Sequence, residues 1–318
     1  MIGRICIPGN LLLLGEYAVL ESGGLGLTMA IKPHVVARIS TAARFSLSGV
    51  TPAVTERWNR GCSNDTFVCR IAEALAQTVQ TRAGVDLAAL PMSLTIDSTA
   101  FFDAAGAKRG LGSSAAASVA LVAAVVRQLR SINPAAADRI DPLQTAVSVH
   151  RAAQNGHGSG YDVAASLYGG VGLFRGGPQP SYTALGTQQL PRLFLRPGPA
   201  AVSTRAAIGR YQELKHNRPA VVRQFLESSN RALSAFADAH GWCEQRAALL
   251  EARSAAAALG DTINVPARPA VTDHRQIVAK CLGAGNELVA LFVDPLADAA
   301  VLPQPPAFEV SPCTVEGL

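Results

Sequence analysis

The chain predicts a mixed α/β protein of two domains, and three observations carry that expectation. Its 318 residues, 49% apolar and only 16% charged, suffice for one large core or two medium ones, and the length favours two. Short β-like runs alternate with long segments of helical periodicity in both halves. Between the halves the composition turns to breakers at Arg175-Gly176-Gly177-Pro178-Gln179-Pro180, which places a domain boundary within about ten residues of that run.

The elements follow in order. Arg4–Ile7 and Leu11–Leu14 read as short strand pieces around a Pro8-Gly9 turn, and Val35–Ile39 as a further strand. Asn64–Gln80 carries apolar residues at Phe67, Val68, Ile71, Ala74, Leu75 and Val79, a helical spacing with Ser63 or Asn64 as its cap. Met92–Ile96 reads as a strand. Ser113–Leu129 is apolar on nearly every side, so that helix belongs at the centre of a core. Leu143–Ala153 reads as a helix capped by Asp141 with Pro142 in its first turn. In the second half, Ser203–Tyr211, Ala220–Ala239 and Trp242–Leu259 read as helices, and Leu288–Val293 as a buried strand after the turn Gly283-Ala284-Gly285. There is no internal repeat and no low-complexity tract; the alanine runs sit inside helical patterns.

Composition bounds the function. The net charge is +5 with a pI near 9.0, and the lysines occur only at positions 32, 108, 215 and 280. No basic run interleaves with aromatic residues, which argues against a nucleic-acid face and for a mildly positive enzyme that attracts anionic metabolites. Cys6, Cys62, Cys69, Cys243, Cys281 and Cys313 form no C-x-x-C pair and no zinc-like spacing with histidine, so reduced structural thiols are expected. Arg4 and the apolar run after it mimic the start of a signal peptide, but Pro8, Gly9 and Asn10 break the run and Glu16 follows. No segment carries roughly 18 uninterrupted apolar residues. The expectation is a cytoplasmic protein without membrane or nucleic-acid partners, as monomer or homodimer.

The stretch Lys108-Arg109-Gly110-Leu111-Gly112-Ser113-Ser114-Ala115-Ala116-Ala117 is the strongest chemical signal. A helix N-terminus presents unpaired N–H groups and about half a positive charge, and glycines let a phosphate come close. Competing motifs fail. None of the lysines follows glycine as a Walker A loop requires. Gly110-x-Gly112-x-x-Ala115 matches a loose dinucleotide fingerprint, but Phe101–Lys108 separates it from the preceding strand and no acidic residue occurs between Gly110 and Asp138. There is no G-x-S-x-G elbow and no H-E-x-x-H.

Three glycine turns remain, together with an aspartate in the loop Asn155–Asp162. Pro8-Gly9-Asn10-x4-Gly15-Glu16-Tyr17-Ala18-Val19-Leu20, then Gly110-Leu111-Gly112-Ser113-Ser114-Ala115-Ala116, then Gly283-Ala284-Gly285 resemble, in order and spacing, the three motifs of the GHMP small-molecule kinases. Gly158-Ser159-Gly160-Tyr161-Asp162-Val163-Ala164-Ala165, Tyr168-Gly169-Gly170 and Ser203-Thr204 are similar to the phosphomevalonate kinase branch. The resemblance implies an α+β, two-layer GHMP kinase fold. Its N-terminal domain would be a ribosomal-S5-like nucleotide-binding domain over residues 1–185, and its C-terminal domain a ferredoxin-like one over residues 186–318.

The resemblance also implies roles. Gly110, Leu111, Gly112, Ser113, Ser114 and Ala115 would cradle ATP phosphates, and Ser114 would reach Mg²⁺. Asp162 matches the catalytic aspartate, with Lys108 as a supporting cation. An Asx-turn or helix cap is the plain alternative for Asp162. Asn10, Glu16, Tyr17, Ser159, Gly160, Ser203, Thr204, Gly283, Ala284 and Gly285 would line the acceptor side, although Ser203-Thr204 also reads as a simple cap for the helix that follows. The implied reaction is ATP-dependent phosphorylation of the anionic acceptor 5-phosphomevalonate to its diphosphate in isoprenoid synthesis. Mevalonate kinase, another kinase of this type, and a catalytically silent relative are the alternatives.

Three departures weigh against full activity. Asn10 stands where relatives carry a lysine directly after Pro-Gly, which leaves Lys108, Arg109 or Arg151 to supply the charge. Asn286 and Glu287 follow Gly285 where relatives carry further glycines and an aspartate. The second metal-binding carboxylate of mevalonate kinases has no match in His150-Arg151-Ala152-Ala153-Gln154, a respect in which phosphomevalonate kinases resemble this chain. A phosphate acceptor tolerates weak base catalysis, because its second pKa lies near 6 and it is already largely dianionic at neutral pH.

Overall fold

The computed structural model describes residues 3–59, 65–186, 190–199, 203–270 and 274–317. The expected α+β architecture is present, with helices packed beside largely antiparallel sheets. Two compact units interleave along the chain. The first holds Met1–Leu11, Ala30–Gly170 and Cys313–Leu318, and the second Leu12–Met29 and Val171–Pro312. The breaker run from Gly176 to Pro180 joins two strands inside the second unit, whereas the expected division after residue 185 is linear.

Strand β1 (Gly3–Leu14) runs unbroken through Pro8-Gly9, where two pieces and a turn were expected. Gly9 is needed for contact, since a Cβ there would come within 2.5 Å of the Leu111 carbonyl oxygen and 2.8 Å of the Phe101 ring. Strand β2 (Leu25–Thr41) is longer than the Val35–Ile39 expected, and its first residues belong to the second unit. In the first unit β2 pairs antiparallel with β5 (Met92–Asp97). Strand β5 pairs parallel with β3 (Ser46–Val50), which in turn pairs antiparallel with β4 (Thr55–Trp58).

Five helices complete this unit. Helix α1 (Phe67–Ala83) is capped by the Thr66 hydroxyl, which accepts from the Cys69 N–H. The expected caps Ser63 and Asn64 lie outside the described residues. Helix α2 (Ser113–Ile132) is followed by α3 (Pro134–Ala137), α4 (Pro142–Ala153) and α5 (Tyr161–Tyr168). The Asp141 cap and the Pro142 first turn of α4 occur as the sequence indicates. By length and composition α2 could cross a membrane, but 72% of its most apolar stretch is buried inside the protein. It packs on β5, α4 and α5 as a core helix, because alanine and valine allow close approach on every face.

In the second unit the start of β2 pairs with β6 (Val171–Arg175), and β6 with β7 (Ser181–Leu185). A four-stranded antiparallel sheet has the order β11-β8-β10-β9, from β8 (Arg192–Pro197), β9 (Ile277–Leu282), β10 (Leu288–Val293) and β11 (Phe308–Val310). Helices α6 (Thr204–Asn217), α7 (Pro219–Asp238) and α8 (Trp242–Thr262) pack in sequence, and α8 lies against β9. Cys6, Cys69, Cys243, Cys281 and Cys313 form no disulfide among the described residues, and Cys62 lies outside them.

Candidate active site

The first unit builds its polar cluster from two loops and one helix. Residues 101–109 form a closed hairpin. The Arg109 N–H donates to the Phe101 carbonyl, and the Asp103 carboxylate accepts from the N–H groups of Ala105 and Ala107. Lys108 and Arg109 stand exposed at its end. Gly110 and Gly112 then take left-handed backbone, with φ of 71° and 78°.

Gly112 caps α2 without any side-chain hydrogen bond, so the first-turn N–H groups of Ser113, Ser114 and Ala115 have no intrahelical partner. Beneath it lies Asn10, only 4% exposed. Its N–H donates to the Leu111 carbonyl at 3.0 Å, and its side-chain amide donates to the Ser166 hydroxyl at 3.0 Å. A Cβ on Gly112 would come within 2.1 Å of the Asn10 amide nitrogen. Asn10 is therefore part of the loop's floor, and its uncharged amide is committed to Ser166 on α5.

Asp162 sits in the first turn of α5, a second helix whose glycine cap, Gly160, makes no side-chain hydrogen bond. The other helices of this unit, α1, α3 and α4, are capped by the side chains of Thr66, Asn133 and Asp141. The loop before α5 is held from α4, where the Arg151 guanidinium donates to the carbonyls of Gly158 at 2.8 Å and Ser159 at 2.9 Å. Gly160, with φ of 94°, lies where a Cβ would strike Val147 at 2.8 Å. One Asp162 oxygen accepts from the Val163 N–H at 2.9 Å. This is a local helix-start contact and leaves the other oxygen facing His150.

His150, on α4, was not a sequence candidate. Its ring is 2% exposed and lies between the two helix starts, with Nε2 3.3 Å from Ser114 Oγ and Nδ1 3.7 Å from Asp162 Oδ2. Gln154 Nε2 lies 2.8 Å from His150 Nε2. The signal available in the sequence was the four-residue spacing of His150 and Gln154, which puts both on one helix face.

The remaining candidates lie in the second unit. Glu16 forms a buried ion pair with Lys280, whose ammonium also donates to the Cys281 carbonyl at 3.0 Å. Burial pushes the Glu16 carboxyl upward while Lys280 opposes the shift. The Tyr17 hydroxyl donates to the Ala284 carbonyl at 2.6 Å, and burial raises this phenol to about 12. Tyr17 also packs against the Tyr211 ring at 5.2 Å, and the Tyr211 hydroxyl donates to Glu21. Glu16 and Tyr17 thus clasp the strand and turn carrying Lys280, Gly283, Ala284 and Gly285. Asn286, at the end of that turn, is 7% exposed, and its Oδ1 has no hydrogen-bond partner among the described residues. The Ser203 hydroxyl accepts from the Ala206 N–H as the cap of α6, and Thr204 opens that helix on the surface.

Residues 66–170, which span the glycine loop, His150 and Asp162, match the family of GHMP kinase N-terminal domains, and the fold is that of GHMP kinases. Among solved structures, the chain is similar to a Lin0012 protein from Listeria innocua, with 21% identity, a TM-score of 0.78 and 99% of each chain covered. It is also similar to the Streptococcus pneumoniae phosphomevalonate kinase in complex with phosphomevalonate and AMPPNP. There the identity is 20% and the TM-score 0.64, with 92% of this chain and 93% of that one covered. Similarity extends to the L. major mevalonate kinase in complex with R-mevalonate at 17% identity and a TM-score of 0.60, covering 99% and 97% of the two chains. No curated protein matches the chain in sequence.

Proposed function

We propose that the protein is an ATP-dependent small-molecule kinase that phosphorylates 5-phosphomevalonate to its 5-diphosphate with release of ADP. One observation carries the reading. The two helices of the first unit that begin on glycine without a side-chain cap, α2 and α5, are the two whose first turns meet at His150, and they bring a serine-rich phosphate loop and an aspartate together. A capped helix start spends an N–H group on its capping side chain, whereas the start of α2 leaves those of Ser113, Ser114 and Ala115 for a ligand.

In this reading the N–H groups of Ser113, Ser114 and Ala115 hold nucleotide phosphate oxygens, and Lys108 and Arg109 add positive charge from the hairpin. Asp162 orients the acceptor, with Ser159 and Gly160 shaping its place. An acceptor phosphate oxygen attacks the γ-phosphorus, the bond to the bridging oxygen of ADP breaks, and ADP leaves with that electron pair. A largely dianionic acceptor needs little deprotonation, so Asp162 acts chiefly by position.

The donor set also fits Mg²⁺. No three His, Cys, Asp or Glu side chains gather into a metal cage among the described residues. Ser114 and Asp162 face opposite nitrogens of the His150 ring and would not share one ion, so Mg²⁺ would take the Ser114 hydroxyl from the protein and fill the rest from phosphate and water. When bound, it supplies charge neutralisation to the phosphates.

The phosphorylated acceptor is favoured by the Gly158–Ala165 resemblance and by the pneumococcal structural neighbour. The test is ADP release with MgATP against 5-phosphomevalonate, mevalonate and other small alcohols and acids, alongside ATP binding. Release that depends on 5-phosphomevalonate is expected, and release with mevalonate alone would move the substrate to the alcohol. A second reading, a silent relative that only binds nucleotide, is favoured by the buried, uncharged Asn10. ATP binding with no turnover on any acceptor would establish it.

A further inference from the structure

We propose that His150 is a positioning residue of the transfer site, holding the Asp162 carboxylate in register with the phosphate loop through an imidazole whose tautomer Gln154 fixes. The proposal rests on the kinase reading for its catalytic consequence, and on geometry alone for the tautomer.

The argument begins with the amide. Its nitrogen stands 2.8 Å from His150 Nε2 while the Asp162 carboxylate faces Nδ1, and the two placements together suit a neutral ring that accepts at Nε2. The ring proton of the neutral imidazole then resides on Nδ1, the atom that faces Asp162 Oδ2 at 3.7 Å. Ser114 Oγ approaches the acceptor side at 3.3 Å. Each edge of one ring therefore addresses the first turn of a different helix, α2 or α5.

Burial gives the arrangement its stiffness. His150 is 2% exposed on a helix that packs against α1, α2 and α5, so the ring cannot swing out without opening the core of the unit. The same helix supplies Arg151, which clamps Gly158 and Ser159 just before Asp162. Two consecutive residues of α4 thus set the acceptor loop, Arg151 through its backbone and His150 through its carboxylate. The Val163 N–H occupies one Asp162 oxygen, and the Nδ1–H faces the second. The bond fixes one oxygen, and attraction across 3.7 Å, longer than a hydrogen bond, favours the carboxylate rotation that turns the second towards the ring. A misplacement of about 1 Å at a reacting group can cost on the order of 100-fold in rate, so the geometry leaves room for a large effect without any contact between His150 and substrate.

Two isosteric replacements separate the ring's edges. His150→Asn keeps an N–H donor near the Nδ1 position, and His150→Gln keeps a polar group near Nε2. The expected result is that the asparagine variant retains most of kcat while the glutamine variant loses on the order of 100-fold, with ATP affinity little changed in both. In an Asp162→Asn background His150→Gln should produce no further loss. Equal losses in the two variants, or a loss confined to thermal stability, would overturn the proposal.

A second measurement needs no turnover, and its main readout uses the wild-type protein. NMR of the ¹⁵N-histidine-labelled wild-type protein is expected to give one buried imidazole with a protonated Nδ1 and an unprotonated Nε2, and Asp162→Ala should shift its Nδ1 resonance. A buried ring protonated on Nε2 would refute the tautomer and with it the positioning role. If the wild-type protein releases no ADP with any acceptor, the kinase reading fails on its own, and the NMR result still decides the arrangement of His150.

Discussion

The two polar clusters of this protein differ in how completely they are satisfied. In the second unit, Glu16 and Lys280 are buried against each other, the ammonium has a further carbonyl, and the Tyr17 hydroxyl is spent on Ala284. In the first unit, the N–H groups of Ser113, Ser114 and Ala115 have no intrahelical partner, the His150–Asp162 approach is long at 3.7 Å, and Lys108 and Arg109 stand exposed. A cluster whose ionic and hydroxyl groups are paired, with only Asn286 Oδ1 left without a partner among the described residues, has little capacity for a ligand and serves to fix a turn. An unsaturated one has capacity, provided that the surrounding structure holds it rigid. The comparison explains why Glu16 and Tyr17, attractive by motif, are read as a clasp, whereas Asp162 is read as chemistry.

The comparison breaks most sharply at Asp162. Asp162→Asn is expected to lower kcat by roughly a thousandfold, about 4 kcal/mol of activation free energy, with the melting temperature nearly unchanged. Wild-type turnover in that variant would remove the first cluster from catalysis. The opposite signature is expected at Lys280. Lys280→Met leaves the Glu16 charge buried without a partner and should cost about 3–5 kcal/mol in denaturant unfolding, much of it recovered by adding Glu16→Gln. A stability change below about 1 kcal/mol would mean that the pair is not buried as described.

Asn10→Lys sharpens the comparison within the first cluster. It forces a longer side chain against Gly112 and breaks the Asn10–Ser166 bond, so a loss of about 1–3 kcal/mol in stability and lower turnover are expected. A rise in turnover would show instead that charge was limiting. The smallest effect lies at alkaline pH. Because Tyr17 titrates near 12 when folded and near 10 when unfolded, its contribution to stability is complete below about pH 10 and lost as pH rises towards 12. Unfolding free energy should fall through that window, and less steeply in Tyr17→Phe.

Much of this was legible in the chain. The glycine loop before Ser113 marked the start of α2, and Asp141-Pro142 the start of α4, because helix starts are written in local residue types. Pro8-Gly9 misled, since a turn signal and a close-packed strand glycine look alike until Leu111 and Phe101 are in place. His150 stayed hidden for a related reason. On α4 it reads as one more residue of a buried face, and apart from the spacing to Gln154 nothing local marks Ser114 and Asp162, which meet its two ring nitrogens.

By itself, then, the sequence determined the element types, the uncapped glycine start of α2 and the candidacy of Asp162, all properties of residues within a few positions of one another. Tertiary structure decided which polar groups are saturated. Lys280 reaches Glu16 across 264 residues, and Ser114 comes to His150 across 36. Partners so distant in the chain are chosen by helix and strand packing, and burial then sets the strength of their interaction by excluding water.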